Sequence, residues 1–191
     1  MIDKIIISGL PGSGKTALAN SISERLEWPR FSVGNLWREE HAKYVESEPE
    51  NKISFEEYWK NQDIVRQYEM DKKARIRVEQ GRVVADFRYA KLADGIQALR
   101  IFISAPLEVR AERAYNSGKY SGIGIKAVQE ILAKREKDEI LMGKKIYGET
   151  YDFRASGMRD PRYDLVINSS ILSVEHEADY VIRAFSRMNE E

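Results

Sequence analysis

Short apolar runs alternate with longer stretches in which apolar residues recur every three or four positions, and this alternation sets the rhythm of the chain. Four runs read as core strands, at residues 5–8, 83–86, 100–104 and 165–168, and a weaker one at 30–33 makes a fifth. The first, Ile5-Ile6-Ile7-Ser8, is β-branched without alternation, as in a parallel strand buried on both faces. Between the strands the period becomes helical. Leu18, Ile22 and Leu26 share one face, as do Val174, Ala178, Val181, Ile182 and Phe185 near the C-terminus. The punctuation agrees: Asp63 suits the cap of a helix running to Gln80, where Gly81 ends it. Pro106 stands at the first turn of a helix over 107–116, and Ser173 suits the cap of the last helix. Alternating β and α elements predict an α/β fold, a three-layer α/β/α arrangement around a five-stranded parallel sheet.

Two stretches interrupt the alternation. Residues 37–80 are polar and largely helical, with a loop-like part at 46–52. Residues 117–160 are rich in Lys, Arg and Gly at both ends and carry a long charged helix from about 126 to 145. Neither has the apolar density of an independent domain. The expected organisation is therefore a single domain, 1–191, with a core of 1–36, 81–116 and 161–191, an acceptor-binding insertion at about 37–80 and a lid at about 117–160. Both insertions are expected over the carboxyl edge of the sheet, where such folds bind ligands. Transfer of a phosphoryl group to anything but water requires water to be shut out, and closing flaps do that.

Composition narrows the classes. The 31 Lys and Arg balance 31 Asp and Glu, which argues against non-specific nucleic-acid or anionic-membrane partners. The absence of cysteine excludes disulfides, thiolate zinc sites and cysteine nucleophiles. No targeting segment or apolar run of membrane-spanning length is visible, so a cytoplasmic protein acting on small molecules is expected.

The candidate chemistry starts at Gly9-Leu10-Pro11-Gly12-Ser13-Gly14-Lys15-Thr16, a full match to G-x-x-x-x-G-K-[ST] between a strand and a helix. The three glycines let successive backbone N–H groups point at phosphate oxygens, and the helix entered through Lys15, Thr16 and Ala17 adds the positive end of its dipole. Lys15 suits the β- and γ-phosphates and Thr16 suits Mg²⁺. A glycine-rich turn matching by chance is the alternative, and the strand–loop–helix context weighs against it. The chain is thus expected to bind a nucleoside triphosphate. Other P-loop classes lack their marks: Asn51-Lys52 continues as Ile53-Ser54 rather than N-K-x-D, no D-x-x-G occurs, no apolar run ends in Asp-Glu, and there is no triple glycine of the shikimate-kinase kind.

Several further segments follow in order: Ser32-Val33-Gly34-Asn35-Leu36-Trp37-Arg38, Asp86-Phe87-Arg88, Ala105 to Arg113, Arg135-Glu136, Ile146-Tyr147-Gly148 and Tyr163 to Asn168. With the P-loop they resemble the short form of cytidylate kinase, within the P-loop nucleoside-monophosphate kinases, over nearly the whole chain. The resemblance implies that Ser32, Arg38 and Arg88 hold the acceptor monophosphate and that Asp86 holds Mg²⁺ through water. It also implies that Arg110, Arg113 and Arg135 neutralise charge on the transferred group, that Asn168 and Ser169 lie near the adenine, and that the protein is a monomer. Plainer readings stand beside these. Arg88 also fits a surface salt bridge, Arg110 and Arg113 a solvated helix face, and Arg135 an ordinary charged helix with Lys134, Glu136, Lys137 and Asp138. Trp37, Phe55, Tyr58, Trp59 and Tyr68 suit packing of the acceptor insertion, with one of them open to stacking on a base.

The resemblance has three departures. Asn35 stands where relatives carry Asp, Ala85-Asp86-Phe87-Arg88 replaces Glu-Gly-Arg, and Met142-Gly143 replaces the lid's Arg-Tyr pair. Lys144 and Lys145 supply charge near the last of these but no bidentate fork. The expected activity is ATP- and Mg²⁺-dependent phosphoryl transfer to CMP or dCMP. The alternatives are a P-loop kinase of another small acceptor (AMP, a modified nucleotide, dephospho-coenzyme A) and a nucleotide-binding switch protein with weak transferase activity.

Overall fold

The computed structural model describes residues 1–157 and 159–190. Five strands, β1 (Lys4–Gly9), β2 (Arg30–Ser32), β3 (Val83–Asp86), β4 (Leu99–Ser104) and β5 (Leu165–Asn168), form one all-parallel sheet in the order β2-β3-β1-β4-β5. Around it lie α1 (Lys15–Leu26), α2 (Val33–Ser47), α3 (Phe55–Asn61), α4 (Ile64–Glu79), α5 (Leu107–Asn116), α6 (Ile125–Tyr147) and α7 (Val174–Glu190). This is the expected three-layer α/β/α fold.

Three consecutive isoleucines in β1 show how the layers are built. Ile6 faces Trp37, Met70, Ala74 and Phe87, in the layer supplied by α2 and α4. Ile5 and Ile7 face Leu18, Ile22, Val181 and Phe185, in the layer supplied by α1 and α7. Successive strand side chains alternate between faces, so a run apolar throughout suits a strand covered on both. Each fully buried isoleucine contributes about 1.5–3 kcal/mol.

Val33, expected to close the second strand, instead opens α2. Ser32 caps that helix by accepting from the Asn35 backbone N–H at 3.3 Å. Asp63 caps α4 as expected, accepting from Arg66 N–H at 2.7 Å, and Ser173 accepts from His176 N–H at 3.3 Å. Helices α2 to α4 come between β2 and β3, and α6 comes between α5 and β5. The α6 face carrying Val128, Leu132, Arg135, Glu139 and Gly143 has the spacing of one helical stripe. Its first two residues pack on Ala111 of α5, and Glu139 and Gly143 are likewise buried. At its end the Tyr147 hydroxyl donates to Asp71 of α4, and Lys60 of α3 pairs with Asp138. Helix α6 is therefore tied to the α3–α4 segment at two points.

Candidate active site

The register of the sheet assembles the floor of the site. Ser32 lies opposite Asp86, and Asp86 opposite Ile7, so the carboxyl ends of β2, β3 and β1 finish in one row beneath the phosphate loop. A Cβ at Gly9, whose φ is +155°, would sit 2.1 Å from the Ile103 carbonyl oxygen, so only glycine lets the loop leave β1 this close to β4. Gly14 precedes α1 in the left-handed region, at φ 101°.

Above this floor lies a cleft of about 550 Å³. Pro11, Gly12, Gly14, Lys15, Thr16 and Ala17 line it from the loop, and Ser32, Arg38, Asp86, Arg88, Arg113 and Arg135 line it from four other segments. Most residues singled out from the sequence thus converge. The Lys15 ammonium donates to the carbonyls of Gly9 at 2.8 Å and Leu10 at 3.0 Å. Burial lowers its pKa to about 8, against the opposing pull of Glu139 and Asp86.

Asp86 is nearly buried, and both its oxygens are engaged. One accepts from the Ser32 hydroxyl at 2.7 Å and the other from Arg30 at 2.8 Å. Arg38 donates to Asn35 Oδ1 at 2.9 Å and lies 5.5 Å over the Phe55 ring. The Arg88 guanidinium stacks 4.1 Å above the Trp59 ring, and its Nε lies 3.4 Å from Glu139 Oε1.

Three expectations change. Arg110 does not reach the cleft. It is 4% exposed, donating to Ala105 O at 3.0 Å, Pro11 O at 2.9 Å and Glu136 Oε2 at 2.9 Å. All three guanidinium nitrogens are consumed in bracing the loop against α5 and α6. Arg113 does line the cleft, with donors on Ser169 and, at 3.4 Å, on the Ser13 carbonyl. Asn168 is exposed outside the cleft lining, its Oδ1 accepting from the Ser170 N–H and hydroxyl, while the buried neighbour Ser169 reaches the loop at Ser13 O, 2.9 Å. Of the flap aromatics, Tyr68 is 58% exposed rather than packed.

The sequence reading missed Glu139, which is 3% exposed and takes a 2.9 Å hydrogen bond from Arg135 Nε. Burial alone raises a carboxyl pKa, but Arg88, Arg135 and Lys15 together hold this one below its usual value. The signal was present: Glu139 lies four residues after Arg135, on the face that begins with Val128 and Leu132. Lys119 and Tyr120 also line the cleft unannounced by any motif. At the departure from the lid pattern, Gly143 is buried, and a Cβ there would lie 3.1 Å from the rings of both Tyr89 and Tyr151. Met142 packs against the apolar layer around Trp37 and Phe87.

Residues 4–171 match the cytidylate kinase-like family. The cytidylate kinase of Methanopyrus kandleri is 32% identical, the alignment covering 94% of this chain and 91% of that one. The cytidylate kinase of Methanocaldococcus jannaschii is also 32% identical, over 96% of this chain and 98% of its own. Among solved structures, shikimate kinase from Acinetobacter baumannii superposes with a TM-score of 0.59 at 10% identity, covering 100% of this chain and 97% of that one, a likeness of fold. With a match that runs from β1 through the phosphate loop and α2 to α6 to the last strand, the chain belongs to the cytidylate kinase-like family and is a nucleoside-monophosphate kinase.

Proposed function

We propose that this kinase transfers the γ-phosphoryl group of ATP to CMP or dCMP, with Mg²⁺, as a cytoplasmic monomer. The observation that carries the reading is the convergence of Lys15, Arg38, Arg88, Arg113 and Arg135 on one cleft at the mouth of the phosphate loop. With Lys119 these make six cations lining one cavity, which suits two phosphorylated ligands meeting end to end. No described helix is long and apolar enough to cross a membrane.

The loop N–H groups and Lys15 cradle the triphosphate, Lys15 exchanging its two carbonyl partners for phosphate oxygens. Arg38 and Arg88 aim an acceptor phosphate oxygen at the γ-phosphorus. That oxygen forms the new P–O bond as the bond from the γ-phosphorus to the β-bridging oxygen breaks, and ADP leaves with the electron pair. A phosphate dianion is already nucleophilic near neutral pH, so no general base is required. Arg113 and Arg135 neutralise charge on the transferring group. Arg110 acts through Pro11, holding the loop in shape.

No cluster of three acidic, His or Cys side chains occurs among the described residues. Magnesium at such sites needs only one or two protein oxygens beside phosphates and water. Thr16, in the cleft, and Asp86, whose oxygens each keep a lone pair beyond their Arg30 and Ser32 partners, supply that donor set. When bound there, the ion offsets charge on the β- and γ-phosphates.

The test is ADP release from Mg-ATP in the presence of CMP, dCMP, UMP, AMP, GMP or dephospho-coenzyme A. Stimulation chiefly by CMP or dCMP is expected. Preference for another acceptor moves the substrate, and ATP binding without acceptor-dependent turnover overturns the reading in favour of a nucleotide-binding switch.

A further inference from the structure

Helix α5 carries Arg110 and Arg113 to the phosphate loop and then stops. Its end is closed by the Ser117 N–H on the Arg113 carbonyl at 3.0 Å and the Gly118 N–H on the Tyr115 carbonyl at 3.1 Å. Gly118 is in the left-handed region at φ +75°, and the turn it makes brings Lys119 and Tyr120 to the rim of the cleft. Tyr120 packs against Ala111, Val128 and Leu132 between α5 and α6, and its ring lies 5.2 Å from the Lys119 ammonium. The backbone at 119 is therefore anchored by its neighbour, while the lysine side chain lines the cavity.

Lys119 stands apart from the other five cations of the cleft. Each of those holds a hydrogen bond or ion pair to the protein: Lys15 with carbonyls, Arg38 with Asn35, Arg113 with Ser169, and Arg88 and Arg135 with Glu139. Among the described residues Lys119 has neither, and its ammonium lies over the Tyr120 ring instead. Although the residue is exposed at the rim, desolvation lowers its pKa, and the charges of Arg135 and Arg38 push the same way, against Glu56 and Glu139. A solvated surface lysine turns away from other cations; this one faces them. The two carboxylates that line the cleft are engaged already, Asp86 by Ser32 and Arg30 and Glu139 by its two arginines. Six cations against two carboxylates leave four positive charges for anionic ligands. Helix α6 gives the cleft one cation, Arg135, whereas Lys144 and Lys145 do not line it and Met142 packs with Trp37 and Phe87.

We infer that Lys119 is a further catalytic residue, its ammonium contacting the phosphoryl group as that group passes from ATP to the acceptor. The inference rests on the proposed transfer to a nucleoside monophosphate. In that reading Arg38 belongs to the acceptor phosphate and Arg135 to the transferring group. Lys119 answers to the charges of both, which puts it where the two phosphates meet. A compact ammonium on a flexible stem, with three rotatable donors, suits a group that moves during the step. Lys119 forms no covalent bond. The acceptor oxygen attacks the γ-phosphorus and ADP leaves with the electron pair, while the ammonium keeps its proton and offsets charge on the equatorial oxygens.

The experiment measures kcat and both KM values for the wild type, Lys119→Met and Lys119→Arg, with Mg-ATP and whichever monophosphate the acceptor panel selects. Denaturant unfolding of each unliganded protein is recorded alongside. Lys119→Met keeps the stem and removes the charge, so kcat should fall about 10²-fold, the scale of one lost donor. That loss should exceed any change in either KM, the mark of a contact made chiefly in the transition state. Lys119→Arg restores the charge and should recover most of the rate. The unliganded Lys119→Met protein should be as stable as the wild type or more so, because a cation facing Arg135 and Arg38 is gone. A wild type that phosphorylates a monophosphate, with kcat unchanged in Lys119→Met, overturns the role of Lys119 and leaves the kinase reading standing. A kcat loss that comes with lowered stability and is not recovered by Lys119→Arg also overturns it, making the lysine structural. A wild type that phosphorylates no monophosphate overturns both.

Discussion

Arg110 donates to the Pro11 carbonyl at 2.9 Å, so a side chain of α5 holds the crown of the phosphate loop across 99 residues of sequence. Arg110→Lys loses the fork that reaches Ala105, Pro11 and Glu136 together. Breaking such a buried pair costs about 3 kcal/mol, to be seen in chemical denaturation, with a raised KM for ATP as the loop loosens. Normal stability with a collapsed kcat would assign Arg110 to the reacting phosphoryl group after all.

Lys15→Ala should abolish turnover while leaving the circular dichroism spectrum unchanged; wild-type rates in that variant would sink the site assignment. In the wild type, pH tests the same side chain. Below about 8 Lys15 already carries its proton, so its contribution to Mg-ATP affinity is constant. Phosphate favours the ammonium and raises its pKa in the complex, so above about 8 binding must take up a proton. Affinity should then fall by up to tenfold per pH unit. Titrations from pH 7 to 9.5 showing a flat dissociation constant would contradict this.

Arg88→Ala should lower kcat/KM for the acceptor about 10²- to 10³-fold, the scale of losing one preorganised donor. It should also release Glu139 from one of its two arginines. Steady-state kinetics with each substrate varied separates the roles, because a loss confined to the ATP KM is incompatible with an acceptor clamp.

Asp71 is 6% exposed, and burial pushes its pKa up to about 6, against the hydrogen bond from Tyr147 and the charge of Arg88. A carboxyl raised in the folded state contributes most stability when protonated, below its unfolded pKa near 4, and loses it as pH rises through about 6. At pH 7.5 the cost is roughly 2–3 kcal/mol. Asp71→Asn keeps an acceptor for the Tyr147 hydroxyl and cannot ionise. It should be the more stable protein by about 2 kcal/mol at pH 7.5, and the gap should close by pH 4. An equal difference at both pH values in denaturant unfolding would show that ionisation of Asp71 is not the cause.

Local rules carried the sheet. Three isoleucines in a row, Asp63 three residues before Arg66, and Ser173 before the last apolar stripe each specify an element from its own residues. The phosphate loop was legible for the same reason, since its glycines act where they stand. What a side chain does at the end of a long reach was not legible. Nothing in Ala105-Pro106-Leu107-Glu108-Val109-Arg110 says that this arginine finds Pro11, while Arg113 one turn later faces the cleft. Asn168 and Ser169 are adjacent at a strand end, where alternation points one side chain out and the next in, so an error of one position exchanges their surroundings. Glu139 was hidden by composition: among Lys134, Arg135, Glu136, Lys137 and Asp138 another acid looks like more of a solvated surface. Only the stripe from Val128 through Leu132 marks it as inward.

Gly143 is held by its neighbours in a way that cannot be undone one residue at a time. The rings of Tyr89 and Tyr151 occupy the room that a side chain at 143 would need, so Gly143→Tyr would force two aromatic rings apart. The three positions are coupled through shared volume and have to change together. Placing an Arg-Tyr pair at 142 and 143 is thus a repacking problem before it is a catalytic one, and the substitutions that permit it lie at Tyr89 and Tyr151, outside that pair.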